Sequence, residues 1–313
     1  MKYNTYIPQT TKISEIGLGA WQLGADSGWK SLTEKEAINM VHLALDLGIN
    51  FFDTAPNYGF GTSEERLGKA LKDYDRSKFV INTKFGHGVK GETNFNATEI
   101  RNSLEGSLKR LQLDHVDSLI IHNPPMELLD GQQNDHYNIL EKLKDEGKIK
   151  AYGASLDTYD EMKLFMETTQ ASVIEAFFNI LHQDVARAFA LAKEKEVAII
   201  AKIPLDSGWL SGKYNENSKF NDVRDRWSRK DIKTRAHLVD QVIEIIGNER
   251  SLPETAISYC LAYDAVRTVI PGNTNASQLI SNVKAAENRM PTDLVKSLEE
   301  FFIAQVAPLN LPW

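Results

Sequence analysis

Short runs of β-branched and aliphatic residues recur along the chain, and each is followed by a longer stretch whose apolar positions return every three or four residues. The runs occupy 16–20, 49–53, 79–84, 116–121, 149–154, 172–177, 197–203 and 267–270. Eight such units predict an α/β protein of the (β/α)8 TIM barrel class, a fold of about 250 residues. The chain has 313, so the surplus needs a place. A hairpin over 5–14 is predicted to cover the barrel bottom, a long Gly-containing, charged loop follows the seventh strand over 204–229, and an extra C-terminal helix covers 291–306. No Gly/Ser or Pro-rich linker divides the sequence, and a single domain over 1–313 is expected.

The intervening helices carry start signals. Thr33 with Glu36 reads as a reciprocal capping box ahead of Ile38, Val41 and Leu45, with Gly48 as the stop. Asn96 with Glu99, Asp157 with Asp160, and Asn275 are read as three further helix starts.

Composition narrows the class. There are 36 Lys+Arg against 43 Asp+Glu, for a net charge of −7 with no basic cluster, so nucleic acid is not an expected partner. No apolar run approaches the roughly 20 residues of a membrane span, and none follows Lys2 as a secretory signal requires. A cytoplasmic location, with neither membrane nor obligate protein partner, is expected. The single cysteine, Cys260, lies in an apolar stretch and reads as a buried structural thiol.

Three chemical patterns compete. Gly86-His87-Gly88-Val89-Lys90-Gly91 spells the GxGxxG of a dinucleotide turn, but 92–96 separate it from the next helix, whereas the pyrophosphate should meet a helix start directly. A mobile loop is the better reading. Asp53 and Glu175 at strand ends suggest a glycosidase pair; strands two and six would place them on opposite sides of the mouth, and fold analogy alone supports the idea. The third pattern is sharper. Asp53, Lys84 and His122 end three strands, where barrel enzymes carry their chemistry, and Tyr58 lies on the loop just after Asp53. A strand-end lysine calls for a counter-charge, which Asp53 supplies.

At this point the sequence resembles the aldo-keto reductase superfamily. The stretch Gly48-Ile49-Asn50-Phe51-Phe52-Asp53-Thr54-Ala55-Pro56-Asn57-Tyr58-Gly59, continuing through Ser63-Glu64-Glu65-Arg66-Leu67-Gly68, is similar to the first family signature. Thr83-Lys84 and the His122 segment resemble the next two, and the likeness continues through 204–213 and 269–272. The resemblance implies a catalytic tetrad of Asp53, Tyr58, Lys84 and His122 and a nicotinamide cofactor bound without a Rossmann domain. Tyr58 would then protonate the carbonyl oxygen during hydride transfer. A cation about 4 Å from a phenolate at an effective dielectric near 20 stabilises it by roughly 4 kcal/mol, or about three pKa units before desolvation. Lys84 is thus expected to bring Tyr58 into working range, with His122 orienting the substrate oxygen.

The resemblance also implies cofactor contacts. Ser155 matches the carboxamide site, with Leu156 beside it where many members have Asn. Glu175 stands for a usual Gln, and Lys202 for the aromatic that stacks on the nicotinamide ring; a Lys202–Glu175 ion pair is expected. Pro204, Leu205, Ser207, Gly208, Leu210 and Lys213 follow in the loop, which with amides at Asn275 should hold the pyrophosphate. Gly272, Asn273 and Gln278 replace the Lys, Ser and Arg common at the adenine end, while Asn282 is retained. The resemblance leans to NADP(H), with NAD(H) as the alternative. Trp21, Tyr58 and His122 are the expected substrate pocket, with Trp29 and Trp313 as further loop aromatics. The expected partner is a small carbonyl or alcohol: an aldehyde, a ketone or a sugar. A nicotinamide-sensing regulatory subunit, as in similar ion-channel β subunits, is the alternative. It is disfavoured because no added N-terminal segment for a partner is seen and the enzyme-like loop 204–213 is present.

Overall fold

Alternation along the chain becomes alternation across a wall. The computed structural model describes residues 1–7, 11–24 and 32–312. Strands β1 (Tyr3–Ile7) and β2 (Thr11–Ser14) pair antiparallel as a hairpin that begins two residues before the expected one. Eight parallel strands follow in chain order: β3 (Leu18–Gly19), β4 (Phe51–Asp53), β5 (Val80–Phe85), β6 (Val116–Ile121), β7 (Ile149–Leu156), β8 (Val173–Phe177), β9 (Ala198–Lys202) and β10 (Val266–Ile270). Each predicted run supplies one of them. Single bridges from Ile16 to Val269 and from Gly19 to Gly272 draw the first strand towards the last, giving a nearly closed barrel.

Helices α1 (Glu34–Asp46), α2 (Thr62–Leu71), α3 (Glu99–Leu111), α4 (His136–Asp145), α5 (Tyr159–Thr168) and α6 (Phe189–Glu194) alternate with the strands. Two helices, α7 (Arg229–Ile246) and α8 (Leu252–Cys260), separate β9 from β10. Finally α9 (Ala276–Glu287) and α10 (Thr292–Phe301) close the chain, the latter running into a wider helical turn over Phe302–Val306. The extra helix and the long loop after β9 therefore fall where the sequence put them. The Thr33/Glu36 capping box and the Asn275 cap form as expected. Two starts shift. Helix α5 is capped by Thr158 with Glu161, whose carboxylate also collects the Asp157 amide. At α3 the Asn96 side chain is no cap: the backbone carbonyl of Asn96 accepts the Glu99 amide, and the chain enters through a turn at Thr98.

Side-chain parity divides the core in two. Phe52, Ile81, Leu119, Ile121, Tyr152, Ile174 and Ile199 face outward to the helices, while Phe51, Val80, Ile120, Ala151, Val173, Ala198 and Ile200 face the barrel axis with Tyr6, Ile7 and Ile13 of the hairpin. The hairpin therefore fills the bottom of the barrel, with the Tyr6 ring edge-on to Phe51 at 5.2 Å. Cys260 is wholly buried with its Sγ against the Phe178 carbonyl, the structural thiol expected. None of the described helices is long and apolar enough to cross a membrane.

One glycine shows how tightly the interior is filled. A Cβ at Gly153 of β7 would meet the Val173 carbonyl oxygen at 1.9 Å and the Ile120 side chain at 3.1 Å. Gly153→Ala is expected to cost at least about 1–3 kcal/mol of stability, measured by denaturant unfolding; an unchanged midpoint would contradict this packing.

Candidate active site

Strand parity carries polar side chains into the barrel as its upper end is approached. Asp53 ends β4, Lys84 sits near the end of β5, Ser155 and Glu175 are register partners on β7 and β8, and Lys202 ends β9. His122 follows β6 directly, its amide bonded to the Phe85 carbonyl. Lys84 is wholly buried. Its ammonium donates to both Asp53 oxygens at 2.7 Å and to the Thr54 carbonyl at 3.1 Å, and it lies 3.1 Å from the Glu175 carboxylate. Asp53 also accepts from the Asn82 amide at 2.6 Å. Behind Asn82 the network continues downward, since Ser118 Oγ donates to Asn82 Oδ1 at 2.6 Å and shares a hydrogen bond with the Tyr6 hydroxyl at 2.7 Å. A polar column thus runs from the bottom hairpin to the mouth.

Tyr58 is brought over the mouth by the loop after β4. The Lys84 ammonium is 5.3 Å from its ring centre, and the ring stands between Trp21 at 6.2 Å and His122 at 6.0 Å. The three residues expected to form a pocket do share one wall. His87, which sequence reasoning placed only in a loop, joins it at 5.0 Å from the His122 ring and 5.5 Å from Phe95. The loop holding His87 turns back on itself through Gly88 and Glu92, and α3 begins only at Glu99, so the GxGxxG spelling does not open a helix. Other motif residues act as scaffolding. Ser63 Oγ donates to the Ala20 carbonyl, Arg66 holds the carbonyls of Leu23 and Leu32, and buried Glu64 accepts from Thr83 and Arg110 at 2.7 Å each. Trp29 and Trp313 lie outside the described residues.

Electrostatics at the mouth follow from burial and from three charges. Burial alone would depress the Lys84 ammonium, but Asp53 and Glu175 outweigh it and raise it. Burial and then the Glu175 charge push Asp53 up to about 7, against the opposing pull of Lys84 and Asn82. For Tyr58 burial is again the largest effect. Lys84 opposes it, Asp53 and Glu175 add to it, and the phenol ends above its ordinary value. The expectation that Lys84 brings Tyr58 down towards neutrality is corrected here, because burial outweighs the pull of Lys84 and the charges of Asp53 and Glu175 add to it. Burial, Lys84, His87 and Lys202 together hold His122 well below the ordinary imidazole range, so it is neutral.

Two further expectations change. Lys202 does not pair with Glu175: its ammonium donates to Ser155 Oγ at 2.7 Å and Asn123 Oδ1 at 2.8 Å and forms an ion pair with Asp157 Oδ1 at 2.8 Å. Asp53 and Glu175 are not across an open mouth from one another either. One ammonium touches both, which leaves no place between them for a sugar and a water, as a glycosidase pair requires.

Beside the mouth the loop after β9 takes an unusual path. Asp206, Ser207 and Gly208 have φ of 47°, 52° and 95°, a left-handed run that is costly outside glycine. A buried ion pair holds it: Asp206 accepts from Arg235 at 2.6 Å and faces His182 at 3.3 Å, and the same Arg235 donates to the Pro312 carbonyl. The Leu205 carbonyl accepts the amides of Gly208 and Leu210, Pro204 and Leu210 are buried, and Lys213 is exposed. Arg224 is a residue the sequence reading missed. Its guanidinium lies over this turn, 3.5 Å from the Ser207 carbonyl, held by Asp222 and Tyr214. Its signal was the Arg-rich end of the long loop. Across the barrel seam, Gly272 precedes buried Asn273, whose Oδ1 accepts from Asn282 at 2.8 Å. Gln278 Oε1 accepts from the Thr274 amide and hydroxyl, so it braces the start of α9.

Similarity to known proteins agrees with this geometry. Residues 15–303 match the model of the Aldo/keto reductase family. The chain is 30% identical over 278 residues to Aldo-keto reductase YhdN of Bacillus subtilis, covering 86% of this chain and 81% of that one. It is 31% identical over 281 residues to L-galactose dehydrogenase of Arabidopsis thaliana, covering 88% and 84%. Among solved structures, the holo form of aldo-keto reductase AKR11C1 from Bacillus halodurans superposes with a TM-score of 0.81 at 28% identity, covering 96% of each chain. With a barrel, a buried Lys84–Asp53 pair beneath Tyr58 and a family match along nearly its whole length, the chain belongs to the aldo/keto reductase family of oxidoreductases.

Proposed function

We propose that this enzyme interconverts a carbonyl and an alcohol on a small aldehyde, ketone or sugar, with Tyr58 as proton donor in reduction and acceptor in oxidation. The observation that carries it is the Lys84 ammonium, bonded to Asp53 at 2.7 Å and set beneath the Tyr58 ring. A phenol raised by burial is fully protonated at neutral pH, the form a general acid needs. As its proton leaves, the nearby ammonium stabilises the charge that forms on the phenolic oxygen. Neutral His122 can hold the carbonyl oxygen through an N–H without competing to protonate it. Trp21, Tyr58, His122 and His87 form an aromatic wall suited to a small polar carbon skeleton.

The family's nicotinamide cofactor, when bound, supplies or accepts the hydride. The residues fit such a group. Ser155 accepts from Lys202, which leaves its own hydroxyl proton for a carboxamide oxygen, while the methylenes of Lys202 can cover one ring face in place of an aromatic. The left-handed turn at Ser207 and Gly208, with Arg224 over it and Lys213 close by in the chain, suits a pyrophosphate. Asn273, Asn282 and the first-turn amides of α9 offer polar groups for the far end, with Gly272 leaving room for it and Gln278 holding the helix start. We take NADP(H) as the preferred form.

Tyr58→Phe is expected to lower kcat for carbonyl reduction by at least about 10²-fold, with the unfolding midpoint unchanged. Near-normal turnover followed at the reduced-nicotinamide absorbance would remove Tyr58 from the mechanism. In fluorescence titrations NADPH is expected to bind more tightly than NADH, and Arg224→Ala to weaken either by about tenfold. Equal affinities for the two cofactors would refute the preference for NADP(H), and an Arg224 variant with unaltered binding would take the guanidinium out of the cofactor site.

A further inference from the structure

Six carboxyl groups are buried among the described residues, and four of them have at least one cation that no other buried carboxylate shares. Glu64 has Arg110, Asp206 has Arg235, Glu15 has Arg289, and Asp117 has both Arg76 and Lys150. Asp53 and Glu175 alone divide one ammonium, that of Lys84. With both ionised, the trio would carry a net charge of −1 deep in the barrel, where an uncompensated charge is strongly disfavoured.

We propose that Asp53 and Glu175 share one exchangeable proton, and that Glu175 is a positioning residue which, through Lys84, sets how readily Tyr58 releases its own proton. The effect on Tyr58 rests on the oxidoreductase reading above; the shared proton does not. Every neighbouring group agrees with this. From β5, Asn82 donates to Asp53. From β9, Lys202 is committed to Asp157, Asn123 and Ser155 and makes no ion pair with Glu175. After β6, His122 is neutral. Above, Tyr58 is a neutral phenol, and below, burial raises the Tyr6 phenol, to which Asp117, Asp53 and Glu175 add. Among the described residues no second cation reaches the pair, and the upward push on Asp53 to about 7 comes from burial and then the Glu175 charge.

The consequences have definite signs. Below neutrality the pair holds its proton and the trio is neutral. As pH rises through about 7 the proton leaves, the trio becomes negative, and charge developing on Tyr58 is opposed. A carboxyl that titrates higher folded than unfolded contributes stability at low pH, and that stability is lost as pH rises through the folded value.

The test compares the wild-type protein with Glu175→Gln between about pH 5 and about pH 9. Infrared spectra of protein carrying ¹³C-labelled Asp and Glu side chains should show a buried carboxylic-acid carbonyl band that vanishes as pH rises through neutrality in the wild type and is missing from the variant at neutral pH. Thermal unfolding should show the variant gaining on the wild type as pH rises. Single-turnover carbonyl reduction by the wild type should fall about tenfold across the same range, flattening in the variant. A wild-type spectrum without that band near neutrality overturns the shared proton, whether or not the variant folds. A stability difference between the two proteins that stays constant with pH overturns it as well. A titrating band with a flat wild-type rate profile overturns the influence on Tyr58. Failure to turn over any carbonyl with either cofactor refutes the oxidoreductase reading instead, and the infrared result still decides the proton.

Discussion

A single ammonium, wholly enclosed in the barrel, is the constraint on which the rest of the mouth depends. Lys84 is tolerated there because Asp53, Glu175 and the Thr54 carbonyl surround it. Asp53 and Thr54 come from the end of β4 and Glu175 from β8, so the charge can be satisfied only when β4, β5 and β8 hold their register. Period-2 alternation puts these groups on the axis, and slipping any one strand by a residue would turn its polar group outward into the apolar layer under the helices. The ion cluster and the barrel thus specify each other.

Much of this was legible in the sequence. Eight β-branched runs with helical spacing between them require a closed alternating architecture, and strand-end Asp53, Lys84 and His122 announce where its polar end lies. Thr33 with Glu36 and Asn275 are helix starts recognisable on their own, because the partners of such caps are three residues away. What escaped depends on distant partners. The choice of Lys202 between Glu175 and Asp157 is decided by where Ser155 and Asp157, and Asn123 from the loop after β6, come to lie around its ammonium, none of which has a local signal. His87 and Arg224 sit on loops whose paths are set by packing. The raised Tyr58 phenol escaped for a related reason: a lysine nearby can be inferred from a motif, whereas the depth of burial of the phenol, and then the second carboxylate beside Lys84, are visible only in three dimensions.

The loop after β9 shows how strain is maintained next to chemistry. Two consecutive non-glycine residues in left-handed conformation are costly by themselves, and buried Asp206, one of the two, is also the residue Arg235 grips. The same guanidinium takes the Pro312 carbonyl, so the end of the described chain and the turn at Ser207 share one anchor. A loop that must present its backbone in one shape gains more from such an anchor than from intrinsic propensity.

The polar column from Tyr6 through Ser118 and Asn82 to Asp53 gives the hairpin a meaning beyond closing the barrel floor. Each member spends its hydrogen-bonding capacity on the next, and all four are buried, so replacing one orphans its neighbour. Substitutions at these four positions are therefore coupled in their effect on stability. A hydroxyl at the floor can be exchanged without loss only together with the amide above it, and the first strand of the chain is thereby tied to the carboxylate at the mouth.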